Sequence, residues 1–332
     1  MNHMPAKARL FLYPFEHSNG VIARLKETFE DLGYELYPFK GLFRPAHMFS
    51  RSENWLVLNW YEDQPFRKGE GVVRRGVFLI AFVLTLLSLR LFSNKVVWVR
   101  HNYKPHNISA KSHFYRFVIW LLQTVADRIV TLEMTSNIDS SVVKHPLYFR
   151  DRDIKQSLNI TSDTQRDTDF LYFGSIKPYK RLDKLLSVWP VDKALRVLGF
   201  CADKQYAMLL YQLIERRGLQ VDWNNEFVQD ETLEQAVSDT RFVIMAHDDN
   251  AMISSGTFYM AISMGANVLC FDSAFARMKA REFPFVKIID AENLAEQLST
   301  LQYEHPSSVL NQAVERYGEE AIRESWRVVL TP

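Results

Sequence analysis

Short apolar runs of β type alternate with amphipathic helical stretches along most of this chain. In the first half, the pattern predicts strands at residues 9–13, 35–39, 55–60, 95–100, 127–132 and 141–144. Strands and helices in strict alternation indicate a parallel sheet with helices on both faces. The first half is therefore expected to form a doubly wound, Rossmann-like α/β domain.

A polar and charged stretch, RDRDIKQSLNITSDTQRDTD at residues 150–169, interrupts this alternation. Such a composition, without a sustained period, is typical of an interdomain linker or a long surface loop. The alternation then restarts, with strands predicted at residues 170–173, 194–198, 221–223, 242–245, 267–271 and 286–289. We predict two domains, residues 1–150 and 169–311, separated by a linker at 151–168. Two such domains are expected to place the carboxyl ends of two parallel sheets around one ligand-binding cleft.

Composition narrows the class of protein. The chain has 332 residues, 47% of them hydrophobic, which is enough for a large core. Its 40 Lys and Arg against 39 Asp and Glu leave a formal charge of +1, so the overall charge gives no reason to expect nucleic-acid binding. Cys201 and Cys270 lie far apart in the sequence, which argues against a disulfide framework or a zinc site and favours a reducing compartment.

Two helical segments, residues 77–89 and 114–125, are unusually apolar. The first is too short to span a bilayer comfortably, and the N-terminus lacks the apolar core of a signal peptide. Basic residues stand at the start of each segment, namely Arg67, Lys68, Arg74, Arg75, Lys111, His113 and Arg116. Because an apolar helix with a positive edge suits a membrane interface, we expect residues 67–92 and 111–125 to contact a membrane surface. The alternative is a pair of buried core helices.

The stretch FLYFGSIKPYKRLDKLL, residues 170–186, joins a predicted strand to a helix. Gly174 permits close approach of a ligand, and Ser175 offers a hydroxyl and an amide. Lys177, Lys180 and Arg181 then bring cations to a helix start, where positive charge opposes the helix dipole. We interpret this stretch as a diphosphate-binding loop; the alternative is cations that only solvate a helix start.

A second phosphate-type feature precedes another predicted helix. It consists of Ser254, Ser255, Gly256 and Thr257, which present hydroxyls and amides to an oxyanion, although an ordinary helix cap would look the same. The chain contains no GxxxxGK[ST], and its first strand–loop–helix lacks GxGxxG. A P-loop NTPase and a dinucleotide oxidoreductase are therefore disfavoured.

Polar side chains also follow the predicted strands of the first half, where cleft chemistry is expected. Histidine or carboxylate at these positions is suited to a general base, a phosphate donor or a cap. These candidates are Glu16, His17, Asn19, Glu62, His101, Asn102 and His106. Trp60 and Tyr61 are candidates for stacking on a sugar. Two histidines without a third ligand at fixed spacing do not predict a metal site.

Several short motifs follow one another in a characteristic order. They are V-W-V-x-H-N-x-x-P-H, A-D-R-I-V, K-H-P-L-Y, F-G-S-I-x-x-Y-K, S-S-G-T and A-I-S-M-G-A-x-V. This order resembles GT-B fold glycosyltransferases of bacterial exopolysaccharide and surface-polysaccharide assembly, and is similar to the xanthan mannosyltransferase type. The resemblance covers most of the chain. It implies a GT-B fold, with two Rossmann-like domains facing a central cleft and a final helix, residues 312–332, crossing back onto the first domain.

The resemblance also implies roles for particular positions. The second domain would bind a nucleoside-diphosphate sugar and the first domain the acceptor, through loops that contain His17, Asn19, Asn102 and His106. The positions that match a donor-diphosphate site are Gly174, Ser175, Lys180, Arg181, Ser254, Ser255, Gly256 and Thr257. The nucleotide base or ribose would lie near Asn225, Glu226, Phe227 and Val228. No metal or other cofactor is expected, because cations and helix starts hold the diphosphate in such enzymes.

The chain departs from the family at one important point. Many retaining members carry two glutamates eight positions apart, and the matching positions here are Met252 and Met260. Asp248 and Asp249 are the candidates to contact the donor sugar instead. We therefore expect an inverting reaction, which needs a base on the acceptor hydroxyl. The candidates for that base are His101, Glu16 and Glu62.

These features together predict a peripheral enzyme on the cytoplasmic face of the inner membrane. It would transfer a hexosyl group from GDP-mannose or a UDP-sugar to a polyprenyl-diphosphate-linked saccharide in polysaccharide biosynthesis. One alternative is a catalytically silent GT-B protein that binds nucleotide as a partner of other proteins, which the two methionines favour. Another is a nucleotide-sugar epimerase, which would convert the donor without an acceptor.

Overall fold

The computed structural model describes residues 8–17, 19–50, 53–66, 72–103, 113–135, 137–160, 166–247 and 253–331, with 72–76 and 157–160 described by their backbone only. These residues form two compact units. The first unit consists of the described residues up to 146, together with 253–254 and 319–331. The second consists of the described residues from 147 to 247, together with 255–318.

The first unit is built on a parallel sheet. Its strands are β1 (Arg9–Tyr13), β2 (Glu35–Pro38), β3 (Asn54–Asn59), β4 (Lys95–Arg100), β5 (Arg128–Thr131) and β6 (Ser141–Val142), and its helices before the second unit are α1 (Gly20–Asp31), α2 (Pro45–Met48), α3 (Val72–Phe92) and α4 (His113–Val125). The strand order is β2-β1-β3-β4-β5-β6, with every neighbouring pair parallel. β3 is buried along its whole length, as a strand covered on both faces should be.

The second unit repeats this architecture. Its strands are β7 (Thr168–Phe173), β8 (Leu195–Leu198), β9 (Val221–Asn224), β10 (Thr240–Met245), β11 (Asn267–Phe271) and β12 (Val286–Ile289). Its helices are α5 (Asp151–Ile160), α6 (Leu182–Val188), α7 (Lys204–Arg217), α8 (Asp230–Ser238), α9 (Gly256–Ser263), α10 (Ala274–Glu282), α11 (Leu294–Ser299) and α12 (Pro306–Tyr317). The parallel strands lie in the order β12-β11-β10-β7-β8-β9. The predicted fold class, two doubly wound α/β units, is confirmed.

Strand order locates the ligand-binding edge of each sheet. In the first sheet the order reverses between β1 and β3, and in the second between β7 and β10. At such a reversal the loops after two neighbouring strands leave in opposite directions and open a crevice for a ligand. The residues that follow these four strands are therefore the expected ligand-binding positions.

The start of the predicted linker is a helix. α5 occupies the first half of that stretch, and β7 begins at Thr168, still within the predicted linker bounds. Ile154 is 1% exposed and anchors α5, which packs on α12. Asp151 and Asp153 lie in the first turn, where carboxylates interact favourably with the helix dipole and stabilise the helix. Ile154 is the one buried aliphatic side chain among those of α5 that the structure describes. The segment is polar and charged without a sustained apolar period, and this is why the sequence pattern missed the helix.

The predicted C-terminal helix, residues 312–332, is interrupted. α12 ends at Tyr317, and a separate helix, α13 (Glu319–Leu330), follows Gly318. A Cβ on Gly318 would overlap the carbonyl of Val314 and lie 2.8 Å from Asp151 Oδ2. Glycine is therefore required for α5 and the end of α12 to approach this closely.

α13 belongs to the first unit rather than to the second. Trp326 is fully buried there and packs edge-on against Phe29 of α1, with ring centroids 4.9 Å apart. Arg128 donates a hydrogen bond to the Val328 carbonyl at 2.9 Å. α13 thus contributes to the hydrophobic core of the first unit.

α3 and α4 bury one face and expose apolar side chains on another. The buried side chains pack in the core of the first unit and include Phe82, Leu86, Leu89, Val118 and Leu122. The exposed apolar side chains include Val77, Ile80, Leu84, Leu87, Leu91, Phe117 and Trp120. Among the helices that the structure describes, none combines the length and apolarity needed to cross a membrane. The alternative of buried core helices therefore applies to one face of each helix.

Candidate functional site

Gly174 lies at the end of β7, on the edge where the order of the second sheet reverses. Its φ of +108° is a conformation that L side chains rarely adopt. A Cβ built on Gly174 would lie 3.0 Å from Lys180 Nζ and 3.7 Å from Thr257 Oγ1. The predicted diphosphate positions on these two segments therefore do converge, with an ammonium and a hydroxyl directed at the glycine backbone.

Lys180 brings an unbalanced positive charge to this edge. Burial, with a smaller contribution from Lys177, lowers the pKa of the Lys180 ammonium to about 8. Among the described residues, no carboxylate pairs with this ammonium. A cation that is partly removed from water and has no counter-ion is stabilised when an anion binds beside it. This is the electrostatic arrangement that a diphosphate needs.

His247 follows β10 at the same edge and was not among the predicted site residues. Both ring nitrogens are buried, and neither has a hydrogen-bond partner in the described part of the chain. Burial, and then the Lys180 ammonium, lower the pKa of His247 to about 3. The ring is therefore neutral and has one N–H to donate to an oxyanion. A polar residue directly after the apolar run FVIMA was the sequence signal that could have revealed it.

The amino end of α9 adds backbone donors. Ser255 precedes the helix, is 3% exposed and makes no side-chain capping hydrogen bond. The first N–H groups of a helix have no partner within the helix. Gly256 is held close to its surroundings, because a Cβ there would lie 2.7 Å from Tyr148 Oη. Ser254, which was predicted with these residues, groups with the first unit instead.

Arg181, which was predicted as a diphosphate contact, pairs with a carboxylate of its own segment. Its guanidinium lies 3.4 Å from Asp183 Oδ1, which also accepts a hydrogen bond from the Tyr206 hydroxyl at 2.7 Å. The Arg181 backbone has a φ of +52° at the turn into α6. Its charge is balanced by a carboxylate two residues away, whereas among the described residues no carboxylate pairs with Lys180. Ser175 is exposed beside Gly174.

The predicted nucleotide-base segment is partly occupied by structural hydrogen bonds. Asn225 Oδ1 accepts from the backbone N–H of Cys201 at 2.7 Å, and Asn225 Nδ2 donates to the Cys201 carbonyl at 3.3 Å. Glu226 accepts from Asn224 at 2.7 Å. Asn225 thus braces the loops after β8 and β9. Phe227 is 75% exposed and, with Val228, remains available for the predicted contact.

His101 follows β4 at the corresponding edge of the first sheet and is 7% exposed. Its Nε2 lies 3.0 Å from Asn59 Oδ1, and Asn59 Nδ2 donates to the Tyr13 carbonyl at 3.2 Å. The second bond fixes the orientation of the Asn59 amide, so His101 Nε2 carries the proton and Nδ1 keeps its lone pair. Burial, with smaller contributions from His145 and His17, lowers the pKa of His101 to about 3. His101 is therefore a neutral imidazole in a defined tautomer.

Trp60 stacks against two histidines at this edge. Its ring centroid lies 4.0 Å from that of His101 and 5.3 Å from that of His17, with the planes inclined by 19° and 21°. A ring already stacked on two imidazoles has little face left for a sugar. Tyr61 is 5% exposed and packs edge-on against Tyr13. The structure therefore does not support sugar stacking by either residue.

Glu62 and Asn19 are correctly placed after strands but serve the fold. Glu62 is 2% exposed, and its Oε2 accepts a hydrogen bond from Trp98 Nε1 at 2.9 Å. Burial, and then Asp63, raise the pKa of the Glu62 carboxyl to about 7. Because this carboxyl lies in the core beside Trp98, it is not a base for an acceptor. Asn19 caps α1, its Oδ1 accepting from the backbone N–H of Val21 at 3.0 Å.

The remaining predicted residues lie in loops or outside the description. Glu16 and His17 are exposed after β1, and the Asn102 carbonyl accepts a hydrogen bond from Arg100 at 3.3 Å. The predicted residues outside the described ranges are His106, Asp248, Asp249 and Met252. Within those ranges, no group of three or more His, Cys, Asp or Glu is placed to hold a metal ion.

Comparison with known proteins bears on the fold. No protein-family model matches this chain, and no curated protein matches it. Solved structures do match over its whole length. Anabaena HepE, in complex with UDP and glucose, aligns over 98% of this chain and 99% of its own, with 15% identity and a TM-score of 0.63. The chain has the GT-B fold.

Two further solved structures support the same GT-B assignment. AviGT4, a glycosyltransferase involved in avilamycin A biosynthesis, covers 98% of this chain and 99% of its own, with 12% identity and a TM-score of 0.59. Trehalose-6-phosphate synthase OtsA covers 97% and 99%, with 9% identity and a TM-score of 0.61. At these identities the likeness establishes the GT-B fold, and the chemistry has to be argued from the residues of this chain.

Proposed function

We propose that this chain is a glycosyltransferase that takes its sugar from a nucleoside-diphosphate sugar without a metal ion. The observation that carries the proposal is the Gly174 edge of the second unit. There the Lys180 ammonium, with no carboxylate partner in the described chain, and Thr257 Oγ1 both approach the Gly174 backbone. His247 and the amino end of α9 supply further donors. Positive charge with convergent donors stabilises a leaving diphosphate.

The chemistry assigns a separate task to each unit. In an inverting transfer, the acceptor oxygen bonds to the anomeric carbon as the bond to the diphosphate oxygen breaks, and the electron pair leaves with the diphosphate. His101 Nδ1 takes the proton of the acceptor hydroxyl, and Lys180 stabilises the charge on the leaving group. An imidazole with a pKa near 3 is a weak base. The negative charge of bound substrates therefore has to raise this pKa during the reaction.

UDP-sugars are the first donors to test, and GDP-mannose the second. HepE has this fold and is bound to UDP and glucose in one structure and to UDP-glucose in another. The acceptor we propose is a polyprenyl-diphosphate-linked saccharide of polysaccharide assembly. Such an acceptor lies in a membrane, and an exposed apolar, basic surface suits an enzyme that has to reach it there.

The proposed membrane surface is the exposed face of α3 and α4, on the cytoplasmic side of the inner membrane. Val77, Ile80, Leu84, Leu87 and Leu91 recur every three or four residues along α3, and all are more than half exposed. A stripe of this spacing lies on one side of a helix. Trp120 of α4 is 56% exposed as well, and tryptophan is suited to the membrane interface.

A turnover assay with the full chain tests the function. The chain is incubated with UDP-sugars or GDP-mannose on vesicles with and without a polyprenyl-diphosphate saccharide. We expect nucleoside diphosphate to be released only when acceptor is present, and Lys180→Met to abolish the release. Lys184→Met is the matched control, because Lys184 is an exposed lysine one turn away whose ammonium lies over the Phe271 ring.

Two other results of this assay would contradict the proposal. Conversion of the donor sugar without any acceptor would identify an epimerase. Binding of nucleotide without turnover on any acceptor would identify a silent partner protein. The second outcome has an observation in its favour, since Met260 stands in α9 where a retaining relative has a carboxylate.

A further inference from the structure

The backbone of Trp60 has an unusual conformation for its residue type. Its φ is +49°, and in the described part of the chain only Arg181 shares this feature among non-glycine residues. Left-handed backbone is unfavourable for a residue with a Cβ, and glycine is its usual occupant. The chain instead carries the largest side chain at this position. Backbone in this conformation is held by the surrounding structure, so the contacts of the indole bear on what this position does.

The contacts of Trp60 join the ends of three neighbouring strands. Trp60 directly follows β3, His101 directly follows β4, and His17 lies in the loop after β1, and these strands are adjacent in the sheet. The indole lies nearly parallel to both imidazoles and is closer to His101, at 4.0 Å between ring centroids. Stacked rings at this separation hold each other's planes in place.

One hydrogen bond alone does not fix an imidazole. The bond from His101 Nε2 to Asn59 Oδ1 sets the tautomer, but it leaves the ring free to turn about the bond. The stacked indole removes that freedom. With both contacts present, the lone pair of Nδ1 points in one direction.

We propose that Trp60 is the positioning residue of His101, holding the imidazole plane so that Nδ1 meets the acceptor hydroxyl. This inference rests on the proposed function, in which His101 accepts the acceptor proton. Misplacing a reacting group by about 1 Å lowers a rate by roughly 100-fold. The titratable groups that act electrostatically on His101 are His145 and His17. Neither is substituted in the variants below, and His17 loses its stacking partner wherever the indole is removed.

The test compares four variants of the full chain. Trp60→Ala removes the ring but leaves a residue for which the positive φ is unfavourable. Trp60→Gly removes the ring and also this penalty, and Trp60→Tyr keeps a ring that can stack. Trp55→Phe is the matched control, because Trp55 is a buried tryptophan at the opposite end of the same strand. Activity is measured as kcat and KM for donor. The tautomer and pKa of His101 are measured by nitrogen NMR in the absence of substrate.

We expect Trp60→Ala and Trp60→Gly to lower kcat about 10-fold to 100-fold with little change in KM for donor. Trp60→Tyr should recover part of the loss, and Trp55→Phe should keep kcat within about two-fold. In the NMR experiment, both ring-deleting variants should broaden the His101 ring signals, because the ring loses its fixed orientation, and should raise its pKa, while the tautomer set by Asn59 persists. Trp60→Gly should be at least as stable as Trp60→Ala, since glycine accepts the backbone conformation.

Two outcomes would overturn the inference. One is a Trp60→Gly protein with the kcat of the unaltered chain, and the other is an unchanged His101 spectrum in that variant. Failure of the proposed function looks different, because the unaltered chain would then show no transfer at all. The NMR measurement would still report whether Trp60 orders His101.

Discussion

Lys180 is the residue on which the proposed donor site depends. In the free protein, burial lowers its pKa from 10.5 to about 8. The unfolded chain therefore binds more protons than the folded chain between those two values, and this group makes the protein more stable as pH rises from about 8 to 10.5. A bound diphosphate raises the pKa of Lys180 again, because it stabilises the charged form of the ammonium.

UDP binding is expected to take up a proton near pH 8. At that pH about half of the Lys180 side chains are neutral in the free protein, and all must be charged in the complex. Affinity should therefore fall as pH rises above about 8. Calorimetry in buffers of different ionisation enthalpy measures the uptake directly. Lys184→Met should keep it, whereas an equal uptake in Lys180→Met would assign the proton to another group.

At single residues, the sequence predicted location correctly where location depends on position after a strand. Gly174, Lys180, Thr257 and His101 all lie at the carboxyl edges of the sheets, because parallel strands deliver their following residues there. It failed where a side chain turns inward. Glu62 follows a strand yet bonds to Trp98 in the core, and Asn225 turns to the backbone of Cys201. Sequence position does not encode side-chain direction in a loop.

At the scale of elements, α13 is held to the first unit mainly by Trp326. This side chain is fully buried and packs on Phe29 of α1. We expect Trp326→Ala to lower the free energy of unfolding of the first unit by about 3–5 kcal/mol. Val328→Ala on the same helix is the control, since Val328 is 63% exposed. Urea denaturation followed by circular dichroism checks both, and equal stability of the two variants would show that α13 does not stabilise the core.

The strands were predictable, whereas some helices were not. A strand buried in a parallel sheet is a continuous apolar run, as in β3 and β10. α5 has one fully buried anchor, Ile154, among its described side chains, and its helical state is decided by packing on α12. α12 ends at Gly318, where a Cβ would lie 2.8 Å from Asp151 Oδ2 of α5, and a tertiary contact of this kind leaves no periodic signal.

The exposed face of α3 and α4 is expected to bind vesicles. Leu84→Gln combined with Leu87→Gln removes two exposed side chains from the middle of the stripe and should weaken binding at least about 10-fold. Met208→Gln combined with Leu209→Gln is the matched control, because these side chains are similarly exposed on α7 of the second unit. Vesicle sedimentation measures both. Equal losses in the two double variants would argue against a specific membrane face.

For the whole molecule, the formal charge of +1 is the sum of a strongly basic segment and an acidic remainder. Residues 64–126 contain ten Lys or Arg and one Glu, which leaves 30 Lys or Arg and 38 Asp or Glu for the rest of the chain. The basic segment is the one that carries the exposed apolar face. An anionic lipid surface attracts such a segment and repels the remainder. Binding should therefore require anionic lipid and weaken as salt is added.

The central claim is that the Gly174 edge of the second unit binds the diphosphate of a nucleotide-sugar donor. Calorimetric titration of UDP into the full chain, and into Lys180→Met and Lys184→Met, tests it most directly. We predict saturable binding by the unaltered chain and by Lys184→Met, with affinity at least about 10-fold lower in Lys180→Met. Equal affinity in all three proteins would contradict the claim, and so would a chain that binds neither UDP nor GDP.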